Sequence, residues 1–213
     1  AVKSALLIAA GHGGRDPGSV SGELIERDLN IDVVLSLNDA ISRTYITAPT
    51  KIEILTYPAD VEMDAVFSLQ SKIDRANEIG RDLLLLELHH NANASGTGAQ
   101  VWTTQLPKPL DDTALVAPLI SAELGAVVGE VVPILRSDRS RFGKLGIVDD
   151  TECTALLVEV RSVDRAATPE GRYATGAALA RALARYFGWR EQFAMPDARL
   201  SRAKQLAQLI VDL

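Results

Sequence analysis

The chain has 213 residues, 47% of them hydrophobic and 23% charged, which supplies enough apolar material for a sizeable core and excludes a low-complexity or disordered protein. The net charge is −6; residues 161–213 hold nine Arg and Lys against five Asp and Glu, leaving −10 on residues 1–160, and that acidic bulk argues against a nucleic-acid partner. No apolar run approaches the roughly 20 residues needed to span a bilayer, and Cys153, the only cysteine, excludes an internal disulfide and a thiolate-rich metal site. The opening Ala1-Val2-Lys3-Ser4-Ala5-Leu6-Leu7-Ile8 leads into a candidate site rather than a cleavage motif, so a soluble chain is expected, with any export signal missing or already removed. The basic last quarter reads as solvated helix faces rather than as a surface for an anionic wall or membrane.

Residues 2–10 form an apolar run that predicts a buried strand delivering its end to the glycine-rich loop Gly11-His12-Gly13-Gly14-Arg15-Asp16-Pro17-Gly18. Helical spacing of apolar residues predicts a helix over about 23–41, Pro49 closes the turn after it, and a strand follows at 52–57. Val66, Phe67, Leu69, Ile73, Ala76 and Ile79 predict a helix over 65–79 stopped by Gly80, before a strongly apolar strand from Leu83 to His89. Further expectations are a strand at 100–102, a helix at about 111–124 bent by Pro118, strands at 131–135 and 155–160, and a helix from the cap Thr168 to Gly188. Pro196-Asp197 then starts a tail helix with one apolar stripe through Leu200, Ala203, Leu206, Ala207, Ile210 and Leu213. Alternating strands and helices predict an α/β fold, an open twisted sheet, mainly parallel or mixed, with helices on both faces. The expected division is a catalytic domain over 1–190 and a linker with an amphipathic helix over 191–213, packed on its own domain rather than pairing two copies or meeting a lost neighbouring module.

Two of the three histidines stand where strands end. His12 lies in the glycine loop, where missing side chains let a ligand approach the backbone, and His89 ends the strand that leads into His90-Asn91-Ala92-Asn93-Ala94. Ligands gather outside the carboxyl ends of strands in open α/β sheets, so both imidazoles should face one crevice. Two imidazoles and a carboxylate make a catalytic zinc set with a fourth position left for water. Spacing alone leaves Glu23, Glu26, Asp28 and Glu87 all open as the carboxylate. The zincin pattern of two histidines four apart around a glutamate is absent, as is the histidine with a glutamate three residues on that a zinc carboxypeptidase would show.

Four ordered segments across residues 4–188 resemble the zinc-dependent N-acetylmuramoyl-L-alanine amidases of bacterial autolysins and phage endolysins (amidase type 3). The loop 11–18 is similar to the family's first-ligand loop, Glu26-Arg27-Asp28-Leu29-Asn30-Ile31 to its second-ligand segment, Leu88-His89-His90-Asn91-Ala92 to its third, and Leu156-Leu157-Val158-Glu159-Val160 to its catalytic strand. Arg75-Ala76-Asn77 falls where the family shows an Ala-Asn pair. The resemblance implies one Zn²⁺ per chain held by His12, Glu26 and His89, with Glu159 as catalytic acid/base. It also implies hydrolysis of the amide between N-acetylmuramic acid and L-alanine in peptidoglycan, with action at the cell wall by a secreted, periplasmic or phage-delivered enzyme. His90 sits at a variable position and strand alternation turns it from the His89 face, so no metal role is expected for it. Asn91 and Arg161 are candidates for substrate contact, Asn91 alternatively for shaping its loop.

Three departures stand out. Ala9 replaces an aspartate usual three residues before the first histidine, and Glu87 replaces a serine usual two before the third-ligand histidine, where it could support His89 or pair with an arginine. Arg161 replaces a glycine; two residues beyond Glu159 on the same strand face, it is expected to lower that glutamate's pKa or to hold it in a salt bridge. The rival functions are a related zinc peptidase or deacylase, and a non-catalytic wall-binding domain.

Overall fold

The computed structural model describes residues 2–92, 98–166 and 168–192. The first apolar run becomes β1 (Ala5–Ala10), buried throughout. A hairpin of β2 (Val20–Ser21) and β3 (Leu24–Ile25) turns at Gly22, whose φ is +60°, and leads directly into α1 (Glu26–Thr44). Then come β4 (Tyr45–Ile46), β5 (Lys51–Leu55), α2 (Ala65–Ile79) and β6 (Leu83–Asn91). The chain continues through β7 (Gln100–Thr103), α3 (Thr113–Val128), β8 (Ile134–Arg136) and the one-turn α4 (Gly146–Asp149). Last come β9 (Thr154–Ser162), α5 (Pro169–Phe187) and β10 (Arg190–Glu191), the latter paired with β4.

Six strands form one mixed sheet in the order β5-β1-β6-β9-β7-β8. The first four run parallel, β7 runs antiparallel to β9, and β8 follows β7 in parallel. Central strands covered on both faces need side chains that are apolar at every position, which is why Leu83 to Leu86 can be an unbroken leucine run. Even-numbered residues of β1, β6 and β9, such as Ile8, Leu86 and Val158, pack with Val34, Leu37, Ile120 and Leu183 of α1, α3 and α5. Odd-numbered residues, such as Leu7, Leu85 and Ala155, meet Ile73 and Ala76 of α2 and Ile147 and Val148 of α4. Each leucine so removed from water contributes about 1.5–3 kcal/mol.

Local signals set most helix ends. Asp64 caps α2 by accepting from Phe67 N at 2.8 Å, and Gly80 ends it. Thr168 accepts from Gly171 N ahead of Pro169, and Gly188, in the left-handed region, closes α5. α1 begins at Glu26 rather than Glu23, because residues 20–25 are taken up by the hairpin. α3 runs through Pro118 to Val128 rather than stopping at 124, with Gly129 as its left-handed terminus. The helix expected over 196–213 lies outside the described residues. Among the described residues, no helix is long and apolar enough to cross a membrane.

Candidate metal centre

The odd-numbered face of the sheet turns from apolar to polar as the strands approach their carboxyl ends. On β6, Leu83 and Leu85 give way to Glu87 and His89; on β9, Ala155 and Leu157 give way to Glu159. His89 and Glu159 are register partners on adjacent parallel strands, so their side chains stand side by side. β1 ends at Ala10, and Gly11 extends its pairing by donating its N–H to the Leu88 carbonyl at 2.8 Å, which places His12 beside His89 with ring centroids 5.0 Å apart. The first turn of α1 projects Glu26 over the same edge.

The three side chains converge on one point. Glu26 Oε1 lies 3.0 Å from His12 Nε2 and 3.0 Å from His89 Nδ1, and one ligand atom from each residue falls within 4.8 Å of the others. Donor atoms ~2.0–2.1 Å from a tetrahedral zinc stand about 3.3 Å apart, so the carboxylate–imidazole spacings fit a metal in the gap. The outer ring nitrogens each meet another carboxylate: His12 Nδ1 lies 2.7 Å from Asp16 Oδ2, and His89 Nε2 lies 3.1 Å from Glu87 Oε2. Asp16 is fixed in turn by Gly18 N–H, and Glu26 Oε2 accepts from Ser19 N at 2.9 Å.

Two glycines are required by this crowding. A Cβ on Gly11 would sit 2.3 Å from the His89 ring; one on Gly18, where φ is +65°, would sit 2.6 Å from His12 Cδ2 and 2.8 Å from Glu26 Oε2. His12 itself has a φ of 61°, an uncommon conformation for a residue with a side chain. Its carbonyl is held by Ser68 Oγ at 3.0 Å and Lys72 Nζ at 3.1 Å, both from α2. Behind it, Asn30 donates to the Gly11 carbonyl at 3.1 Å, and its Oδ1 lies 2.8 Å from His90 Nδ1. His90 therefore faces α1, on the opposite side of β6 from His89.

Without a cation the cluster is held together by charge. Burial would lower the His89 pKa, but Glu87 and Glu26 outweigh it and raise the ring to about 10. Burial would raise Glu26, yet its hydrogen bonds to His12 and His89 pull the carboxyl far below its ordinary value. Glu159 behaves differently. Burial pushes it up to about 7 against the attraction of His89, and its Oε2 is buried with no hydrogen-bond partner among the described residues. The expected lowering by Arg161 does not occur and no ion pair joins the two among the described residues: the β6–β9 register shifts just beyond Glu159, and the charge of Arg161 acts on His90 instead. Asn91 Nδ2 donates to the Gly98 carbonyl and Gln100 Oε1, each at 3.3 Å, a loop-shaping role. Glu87 pairs with Lys72 rather than with an arginine. Of the acids that spacing left open, Glu26 reaches both histidines and Glu87 reaches the far side of His89, whereas Asp28 pairs with Arg27.

A cleft of about 240 Å³ opens beside the cluster between α2 and the α4 segment, walled by His12, His89, Leu69, Leu145, Ile147 and Leu157. Sequence reasoning gave no role to Asp16, Asn30 or Lys72. Lys72 was detectable as a lone cation on the apolar stripe of α2, and Asp16 as the acid four residues after His12 within a glycine loop.

The class is that of a mixed α/β sheet carrying a His-Glu-His cluster that could hold a metal ion at its strand ends. The model of the N-acetylmuramoyl-L-alanine amidase family matches residues 6–183, and the chain belongs to that family. It is 26% identical over 129 residues to the N-acetylmuramoyl-L-alanine amidase LytC of Bacillus subtilis (strain 168), covering 58% of this chain but only 24% of that relative's length. An N-acetylmuramoyl-L-alanine amidase from Clostridium difficile 630 superimposes with a TM-score of 0.67 at 18% identity, covering 88% of this chain and 98% of the other. The CwlD amidase from Clostridioides difficile, solved with the GerS lipoprotein, gives a TM-score of 0.70 at 16% identity, covering 87% and 98%. Identities this low speak for a common fold alone.

Proposed function

We propose that this chain hydrolyses the amide between N-acetylmuramic acid and L-alanine in peptidoglycan, acting at the cell wall, with one Zn²⁺ held by His12, Glu26 and His89 and with Glu159 as proton carrier. The observation that carries the reading is the convergence of two imidazoles on one Glu26 oxygen, 3.0 Å from each, beside Glu159, whose Oε2 is buried with no hydrogen-bond partner among the described residues. Bound there, Zn²⁺ would supply Lewis acidity, polarising an amide carbonyl and making water a competent nucleophile at neutral pH.

The protein's own groups account for the rest. Asp16 and Glu87 accept from the outer nitrogens of His12 and His89, which turns the inner nitrogens towards the metal position. Glu159, beside the two histidines at the end of β9, is the group placed to exchange a proton. It takes the proton of the attacking water and delivers it to the departing alanine nitrogen. The cleft between α2 and the α4 segment offers apolar walls to the substrate, and Arg161, near the carboxyl end of β9, is assigned to a substrate carboxylate.

Digestion of purified sacculi tests the reading. New N-terminal alanine without new reducing ends, abolished by a chelator and restored by Zn²⁺, is the expected result; peptide-bond cleavage or new reducing ends would refute it.

A further inference from the structure

A buried ion pair needs an explanation, because two charges taken from water are seldom more stable than two apolar side chains of the same size. Lys72 and Glu87 are such a pair, 2.9 Å apart, with their side chains 1% and 3% exposed. Each also reaches one of the two histidines: Glu87 Oε2 meets His89 Nε2 at 3.1 Å, and Lys72 Nζ donates to the His12 carbonyl at 3.1 Å. Glu87 is also the register partner of Ala9 on β1.

We infer that Lys72 and Glu87 are positioning residues that brace both histidine ligands, Glu87 by accepting from His89 Nε2–H so that Nδ1 faces the metal position, and Lys72 by anchoring the His12 backbone in its left-handed conformation. The inference rests on reading His12, Glu26 and His89 as a zinc site. Lys72 neutralises Glu87 and thereby keeps a charged acceptor in an otherwise apolar setting, since Leu85, Ile73 and Leu157 surround this part of the sheet face. A serine at position 87 would be too short to meet both the ammonium and the ring.

The test is zinc affinity by chelator competition, and the visible absorption of the Co²⁺-loaded protein, for wild type and for Lys72→Met/Glu87→Gln, which removes both charges and leaves none unpaired. Glu53→Gln/Arg75→Met, which breaks an ion pair of α2 remote from the histidines, is the control. The expected result is a zinc affinity roughly 10- to 100-fold weaker and a shifted Co²⁺ band for the first pair, with the control like wild type. Unchanged affinity or an unchanged band in the folded variant overturns the inference while leaving the zinc site standing. Wild type that binds no zinc overturns both. Should the double variant not fold, Glu87→Gln alone keeps the shape of the side chain and is judged by the same outcomes.

Discussion

Glu159→Gln should separate what the fold prefers from what the reaction needs. A carboxylate whose pKa rises from 4.5 to about 7 on folding binds its proton more tightly in the folded chain than in the unfolded one. Between those values the unfolded state has released the proton and the folded state has kept it, so stability falls as pH rises through this window. At ~1.4 kcal/mol per pH unit the full penalty is about 3 kcal/mol at pH 8, against about 1 kcal/mol at pH 5. Glutamine has the same shape and never ionises. Metal-free Glu159→Gln should therefore gain on metal-free wild type by about 2 kcal/mol between pH 5 and pH 8 in urea unfolding, while hydrolysis of sacculi falls by ~10²-fold or more. A stability difference that does not change with pH would show that Glu159 is not a raised acid in the folded chain. Undiminished hydrolysis would remove it from the reaction.

Gly11→Ala drives a methyl to 2.3 Å from the His89 ring; zinc measured by elemental analysis should drop well below one per chain, although the fold, followed by circular dichroism, should persist. Asn30→Ala leaves the Gly11 carbonyl and His90 Nδ1 without their partners in a fully buried place, a loss of roughly 2–6 kcal/mol at 1–3 kcal/mol for each orphaned group, to be read by denaturant titration. Gly176→Ala puts a Cβ 2.6 Å from Leu37 N and 2.7 Å from Ser36 C, where α5 rests on the backbone of α1. Neither backbone can yield freely, so a cost of at least about 1–3 kcal/mol is expected as a lower melting temperature with little change in zinc content.

Helix ends and strand positions were legible wherever a local signal existed. The spacing over 65–79 and the stop at Gly80 match α2 residue for residue, because Asp64 and Gly80 act within a single turn. The residues of the cluster were legible through their order along the chain, and geometry adds that Glu26, out of four open acids, touches both rings. What sequence did not disclose depends on partners distant in the chain. Lys72 and Glu87 are 15 residues apart on different elements, and nothing in either segment states that they meet. The reversed direction of β7 is likewise invisible in Gln100-Val101-Trp102, since a strand's own pattern is the same in both directions. Arg161 misled for a related reason. Proximity along a strand suggested that a cation would govern Glu159, whereas the balance is set by how completely the carboxyl is removed from water.

The parallel core of the sheet has a bearing on how the molecule comes to exist. β1 pairs with β6 across 78 positions of chain, and β6 with β9 across about 70, so the pairings that bring His89 beside residues 12 and 159 are strongly non-local. Loop-closure entropy must be paid before such pairings return anything, which makes folding slow and late to commit. A ribosome-bound chain that has emerged only as far as β6 carries both histidines and Glu26 yet lacks the strand that fixes His89 from its other side. Cation capture should accordingly follow completion of the sheet, rewarding the finished topology rather than guiding the search for it.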